Sequence, residues 1–224
     1  MRSQRVAVST LVFSLAISSA VLAQHKAVNV HFGVFGGASF DKPGGPDADL
    51  DNLKGSYTGF GIGGFVGIQV TPGFAIEPEA LYVQKGAKSS SPSTGGTITG
   101  KVKVPYFEIP VLAKLRIPAK GSSIVSPHIY AGPALAFKAG CHARFAQGTT
   151  SLEGGCDETN INVKIKSTDF SLAFGGGVDV GRAIVDVRYD LGLSKIGDNS
   201  SGTGNDVKNR TLYLLAGWTF RSAH

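Results

Sequence analysis

The sequence predicts an all-β protein, an eight-stranded antiparallel up-and-down transmembrane β-barrel with four long loops at one end and short turns at the other. Three observations predict it. Apolar and polar residues alternate with period two through eight stretches. Long polar connections alternate strictly with short ones. Glycine is 31 of 224 residues, about twice the usual ~7%, which disfavours a largely helical chain.

Residues 1–23 stand apart. Arg2 and Arg5 form a basic start, Val6 to Leu22 carry no charge, and Val21-Leu22-Ala23 supplies modest side chains before Gln24. This is the layout of a cleavable secretory signal. A membrane helix would need ~20 apolar residues, and this stretch includes five Ser or Thr. The expected domains are therefore a signal peptide, 1–23, and one barrel domain, 24–224. The formal charge of +6 falls by two with Arg2 and Arg5. No basic cluster with interleaved aromatics speaks for a nucleic acid.

Eight strands follow. Stretch 28–39 offers Val28, Val30, Phe32 and Val34 on one face. In 57–70, Phe60, Ile62, Val66 and Ile68 alternate with glycines and Gln69. In 74–86, Phe74, Ile76, Ala80 and Tyr82 oppose Glu77, Glu79 and Lys85. Stretch 107–117 sets Phe107, Ile109, Val111, Ala113, Leu115 and Ile117 against Glu108, Lys114 and Arg116. Stretch 128–138 offers Ile129, Ala131, Leu135 and Phe137, and 169–180 sets Phe170, Leu172, Phe174, Val178 and Val180 against Asp169 and Asp179. In 184–194, Val185, Val187, Tyr189, Leu191 and Leu193 oppose Asp186, Arg188 and Asp190. Stretch 210–221 places Leu212, Leu214, Ala216, Trp218 and Phe220 on one face. Each stretch has the ~9–11 residues that a tilted membrane strand needs.

The connections 40–55, 87–102, 139–167 and 195–209 are long and rich in Gly, Ser, Asn, Asp and Lys. Thr71-Pro72-Gly73, residues 118–126 and Gly181-Arg182 are shorter. An outer-membrane barrel with both termini in the periplasm has long outer loops and short periplasmic turns.

The charged face decides between membrane and water. Glu77, Glu79, Glu108, Lys114, Arg116, Asp179, Asp186, Arg188 and Asp190 lie mid-strand. Both signs occur, so they can neutralise one another as a charge network inside a narrow barrel. A soluble lipocalin-like ligand carrier would reverse the faces. Against it, the apolar face holds modest residues such as Ala80, Ala113, Ala131 and Ala216, with Tyr82, Tyr189, Trp218 and Phe220 near strand ends, where interfacial aromatics belong. Pro78, Pro105, Pro110 and Pro133 cannot donate to a ladder, so bulges or missing ladder bonds are expected there.

Five pieces in order carry a family resemblance: Tyr106-Phe107-Glu108-Ile109-Pro110-Val111-Leu112, Tyr130-Ala131-Gly132-Pro133, Phe174-Gly175-Gly176-Gly177-Val178, Arg188-Tyr189-Asp190-Leu191-Gly192-Leu193 and Leu215-Ala216-Gly217-Trp218-Thr219-Phe220. Through them the chain resembles the outer-membrane β-barrel domain family that includes PorT-like and small OmpX-type barrels. The resemblance implies an eight-stranded barrel in the outer membrane of a Gram-negative bacterium and no defined activity. One departure is that Arg221-Ser222-Ala223-His224 follow Phe220, whereas such barrels end on the aromatic that the barrel-assembly machinery reads.

Few motifs suggest chemistry. Gly59-Phe60-Gly61-Ile62-Gly63-Gly64 matches a dinucleotide fingerprint in letters, but that motif needs a helix after it, and the glycines here lie in a period-two stretch. No cofactor is expected. Cys141 and Cys156 are the two cysteines, and an oxidising compartment favours a disulfide. A zinc site of both with His142 and Asp157 is the alternative. The pairs Glu77/Glu79 and Asp186/Asp190 have the spacing for acid and base work, yet a paired charge network is the commoner arrangement. Lys85, Lys88, Lys101 and Lys103 surround a Ser/Thr/Gly segment expected to be flexible, and are candidates for contact with lipopolysaccharide phosphates or another polyanion. The expected role is structural or interactive display of loops without catalysis, with membrane lipid and the assembly machinery as partners and the surface ligand open. A narrow pore or transporter for small solutes is the alternative.

Overall fold

The computed structural model describes residues 29–44, 56–94, 96–117, 124–156, 165–195 and 207–221. Residues 1–23, with the expected signal peptide, lie outside them, as do Asp157 and most of the first and fourth long connections.

Ten strands form one sheet: β1 (Asn29–Asp41), β2 (Tyr57–Thr71), β3 (Phe74–Ser93), β4 (Gly96–Arg116), β5 (Val125–Lys138), β6 (His142–Gln147), β7 (Thr150–Gly155), β8 (Thr168–Val180), β9 (Ala183–Gly192) and β10 (Arg210–Arg221). Eight of them close a ring. Its order is β3-β2-β1-β10-β9-β8-β5-β4, and β3 pairs with β4 to complete it. Every pairing is antiparallel. The ring is the predicted up-and-down barrel, and closure leaves none of its own strands with a free edge in the bilayer.

The faces follow from the period of two. Outward residues include Phe32, Phe60, Ile62, Phe107, Ile109, Val187, Leu214 and Trp218, all largely exposed. Inward residues include Glu79, Glu108, Lys114, Asp186 and Arg188, all buried. Apolar outside and charged inside is the reverse of a soluble carrier barrel. Along β4, Phe107 to Arg116 at ~3.4 Å per residue and a ~40° tilt spans roughly 23 Å, about the height of an outer-membrane apolar band.

Two expected loops contain strands. Residues 87–102 were expected to be a flexible connection; instead β3 and β4 continue as a ladder through Lys88↔Lys101, Ser90↔Thr99 and Ser93↔Gly96. Backbone bonds between the strands hold this segment although its side chains are small and polar. Gly96 closes the turn with φ 110°, a conformation that glycine adopts freely. Within 139–167, β6 pairs with the upper part of β4 and β7 pairs with β6. A small four-stranded sheet, β3-β4-β6-β7, thus stands above the barrel.

The prolines interrupt the ladder without shifting its register. Pairing lapses between Phe65↔Glu79 and Ile68↔Ile76 around Pro78. It lapses again between Pro78↔Val111 and Leu81↔Glu108 around Pro110, and between Pro110↔Ala134 and Ala113↔Ala131 around Pro133. A missing N–H accounts for each gap. Pro105 stays within the paired register, opposite Gln84.

Candidate functional site

The barrel lumen is filled by ion pairs in layers. Nearest the short turns, Arg116 donates to Gln69 at 2.9 Å and lies 3.5 Å from Asp179. His128 sits between Asp179 at 3.5 Å and Asp186 at 2.7 Å. Lys114 reaches Glu77 at 3.5 Å. At mid-height Arg188 of β9 grips Glu79 of β3 across the lumen with two bonds of 2.7 Å, the fork geometry that makes an arginine–carboxylate pair strong. Phe35 and Tyr130 flank its guanidinium at 5.5 and 5.3 Å. Above it Lys85 lies 3.0 Å from Glu108 and 4.0 Å from Asp190; the short contact is an ion pair off the hydrogen-bond direction. At the loop end Thr211 donates to Asp41, and Ser194 and Asn209 donate to Asp169.

The nine network candidates therefore all face the lumen, spread over its height. Several partners escaped the sequence reading. Lys85 has two sequence readings, on the charged face of 74–86 and among the loop lysines, and the structure keeps the first: its parity with Glu77 and Glu79 on β3 puts it inside. His128 has no role in the sequence reading, although it shares parity with buried Tyr130. Asp41 and Thr211 sit at strand ends, where no alternation flanks both sides, whereas Asp169 falls on the polar face that the alternation of 169–180 predicts.

Buried charges persist only when paired, since desolvation costs several kcal/mol per ion. The pairs Glu77/Glu79 and Asp186/Asp190 are each turned onto a cation or a histidine. Beside Glu77, Glu79, Lys114 and Arg188 the lumen leaves a cavity of about 10 Å³, room for about one water. The lumen at this level is packed rather than open. The glycines of 59–64 lie in β2, between β1 and β3, with no helix following. A Cβ at Gly59 would lie 2.1 Å from the Gln84 carbonyl oxygen, so glycine there permits close approach of the strands.

The upper sheet is the other candidate. Cys141 and Cys156 form a disulfide with Cα atoms 5.4 Å apart, clasping the ends of the β6–β7 hairpin, where Cys156 N also donates to Cys141 O. Both thiols are consumed, which removes them as zinc ligands; no metal-binding cluster occurs among the described residues. A groove of about 500 Å³ on this sheet is lined by Ile98, Phe145, Gln147, Thr150 and Leu152. Of the four lysines proposed for polyanion contact, Lys88 and Lys101 are exposed and Lys103 is half-buried. Lys85 is excluded, being 2% exposed and paired inside.

A closed ring with an apolar exterior and a polar, side-chain-filled interior is the architecture of a barrel that spans a bilayer. Residues 22–198 match the model of the outer membrane protein beta-barrel domain family, and the chain belongs to that family. No curated protein matches the sequence. Among solved structures, the chain is similar to Ail, the attachment invasion locus protein of Yersinia pestis, solved with the heparin analogue sucrose octasulfate. Identity is 18%, covering 86% of this chain and 99% of that one, with a TM-score of 0.42. Neisserial surface protein A gives 18% identity over 85% and 97% with a TM-score of 0.44. OprG of Pseudomonas aeruginosa gives 14% over 87% and 98%, also at 0.44.

Proposed function

We propose that this protein is a non-catalytic outer-membrane barrel that serves as a pedestal, holding a structured surface outside the cell in a structural or interaction role. The observation that carries this reading is the contrast between the two ends of β3 and β4. Below, they enclose a lumen crossed by the Arg188–Glu79 pair and packed around it. Above, they continue as a sheet with β6 and β7, clasped by a disulfide. A packed lumen supports display over passage of solutes, since water-filled porins use about 16–18 strands. It supports display over catalysis too, because the described lumen carboxylates Glu77, Glu79, Glu108 and Asp186 are buried against Lys114, Arg188, Lys85 and His128. Export would follow removal of residues 1–23, read as an intact mass starting at Gln24, and insertion would use Phe220, which lies on the outward face.

Planar-bilayer recording of the refolded protein tests the proposal. A quiet bilayer with correctly folded protein inserted is expected. Reproducible unit conductance steps would favour the pore instead.

A further inference from the structure

The outward face of the upper sheet carries a row of cations. Directly opposed residues in an antiparallel sheet share a face. Lys88 opposes Lys101, Lys101 opposes Arg144 and Lys103 opposes His142. Arg144 in turn opposes Glu153, 3.8 Å away. Lys88, Lys101, Lys103, His142 and Arg144 therefore form one basic surface across three strands, with Glu153 at its rim.

This surface continues the lipid-facing stripe. On β4 the outward positions run Ile109, Phe107, Pro105, Lys103, Lys101. Phe107 is 58% exposed and packs on Tyr82 at 5.5 Å, which packs on Phe60 at 6.1 Å, an outward aromatic set marking the upper edge of the apolar band. Lys103 stands ~13 Å further along the strand, which a ~40° tilt turns into roughly 10 Å of height. That is the level of lipid headgroups. The Lys101 Nζ also lies 5.5 Å over the ring of Tyr57, a buried residue at the start of β2. The signs are also segregated: among the described residues every carboxylate but Glu153 faces the lumen. Among the described residues, the outward charges of this sheet are therefore basic except for Glu153.

We propose that Lys88, Lys101 and Lys103, with Arg144 beside them, bind the phosphates of an anionic glycolipid in the outer leaflet. Continuity with the lipid-facing belt selects a lipid over a soluble anion. The inference rests on the outward orientation of the upper sheet in the preceding reading, but not on the barrel being closed to solutes. A conducting barrel would leave it standing.

The test titrates the folded, detergent-solubilised protein with bisphosphorylated lipid A. The comparison is a Lys88→Gln/Lys101→Gln/Lys103→Gln variant whose folding is verified by heat-modifiable gel mobility. A lysine near an anionic surface is worth about fivefold in affinity, so the triple change should weaken binding on the order of a hundredfold at low salt. Raising salt should weaken the wild type and leave the variant little changed. A Lys42→Gln/Lys208→Gln control, away from this sheet, should bind as the wild type does. Equal affinity of wild type and triple variant would overturn the proposal. So would an equal loss in the control, or equally tight binding of free inositol hexakisphosphate, which would mark a soluble polyanion site.

Discussion

The lower and upper halves of β3 and β4 are one continuous ladder in two solvents. Below Lys103 one face of the pair is outward and mostly apolar, while the other is buried and mixes ions such as Glu79, Lys85, Glu108 and Lys114 with Leu81, Val83, Tyr106 and Leu112. Above it the outward face turns to Lys and Ser, while the inward face carries Ala87, Val102 and Ile98. Register is unbroken across the change, from Phe74↔Leu115 to Ser93↔Gly96. The hydrogen-bonded backbone thus needs neither lipid nor a strong apolar stripe once a closed barrel has aligned the two strands. Helix-free membrane structure rests on this backbone pairing, and the side chains choose the solvent.

The largest contrast should come from the lumen. Arg188→Ala leaves Glu79 buried without its fork of two bonds and is expected to cost about 3–5 kcal/mol, read as the urea midpoint of folding into lipid vesicles. A change under ~1 kcal/mol would mean the lumen is far wetter than the packing around Glu79 indicates. Val187→Arg, on the lipid face of β9 opposite Leu214, should cost ~2–4 kcal/mol near the midplane. Normal folding of that variant would reverse the assignment of faces.

The upper sheet should respond locally. Replacing Cys141 and Cys156 by serine removes the constraint on the β6–β7 hairpin, worth up to ~3 kcal/mol for a loop of this size. Limited proteolysis should then cut near Gly148 while the barrel midpoint stays put. A barrel midpoint that falls with the disulfide would tie the two regions together. Ser90→Arg makes the same kind of change as Val187→Arg, but above the apolar band, and should shift the midpoint by less than ~0.5 kcal/mol.

The same contrast explains what could be read from the residues. The eight barrel strands were legible because lipid on one face and ions on the other enforce period two, as in Val185 to Tyr189. Their lower turns were legible through Pro72-Gly73 and Gly181, the latter at φ 63°. Residues 87–102 and the β6–β7 hairpin were read as loops because Ser89-Ser90-Ser91 and Thr97 to Thr99 carry no such contrast. Their pairing is inherited from the barrel below, a tertiary cause that local propensity does not record. In the lumen, alternation told which residues face inward but not which ion meets which. The Arg188–Glu79 pair joins residues 109 positions apart, and only the closure of the ring brings them together. Lys85 stands at the boundary: its alternation with Glu77 and Glu79 marks it as inward, where it meets Glu108, and only its nearness to Lys88 in sequence suggests the loop.

Backbone hydrogen exchange over residues 87–102 tests the continuous-ladder account most directly, with the protein reconstituted in bilayers. The amides bonded between the upper parts of β3 and β4 are expected to exchange far more slowly than an unstructured chain, grading into the protected barrel strands below. Exchange at the unstructured rate throughout 87–102, beside protected amides at 106–116, would contradict it.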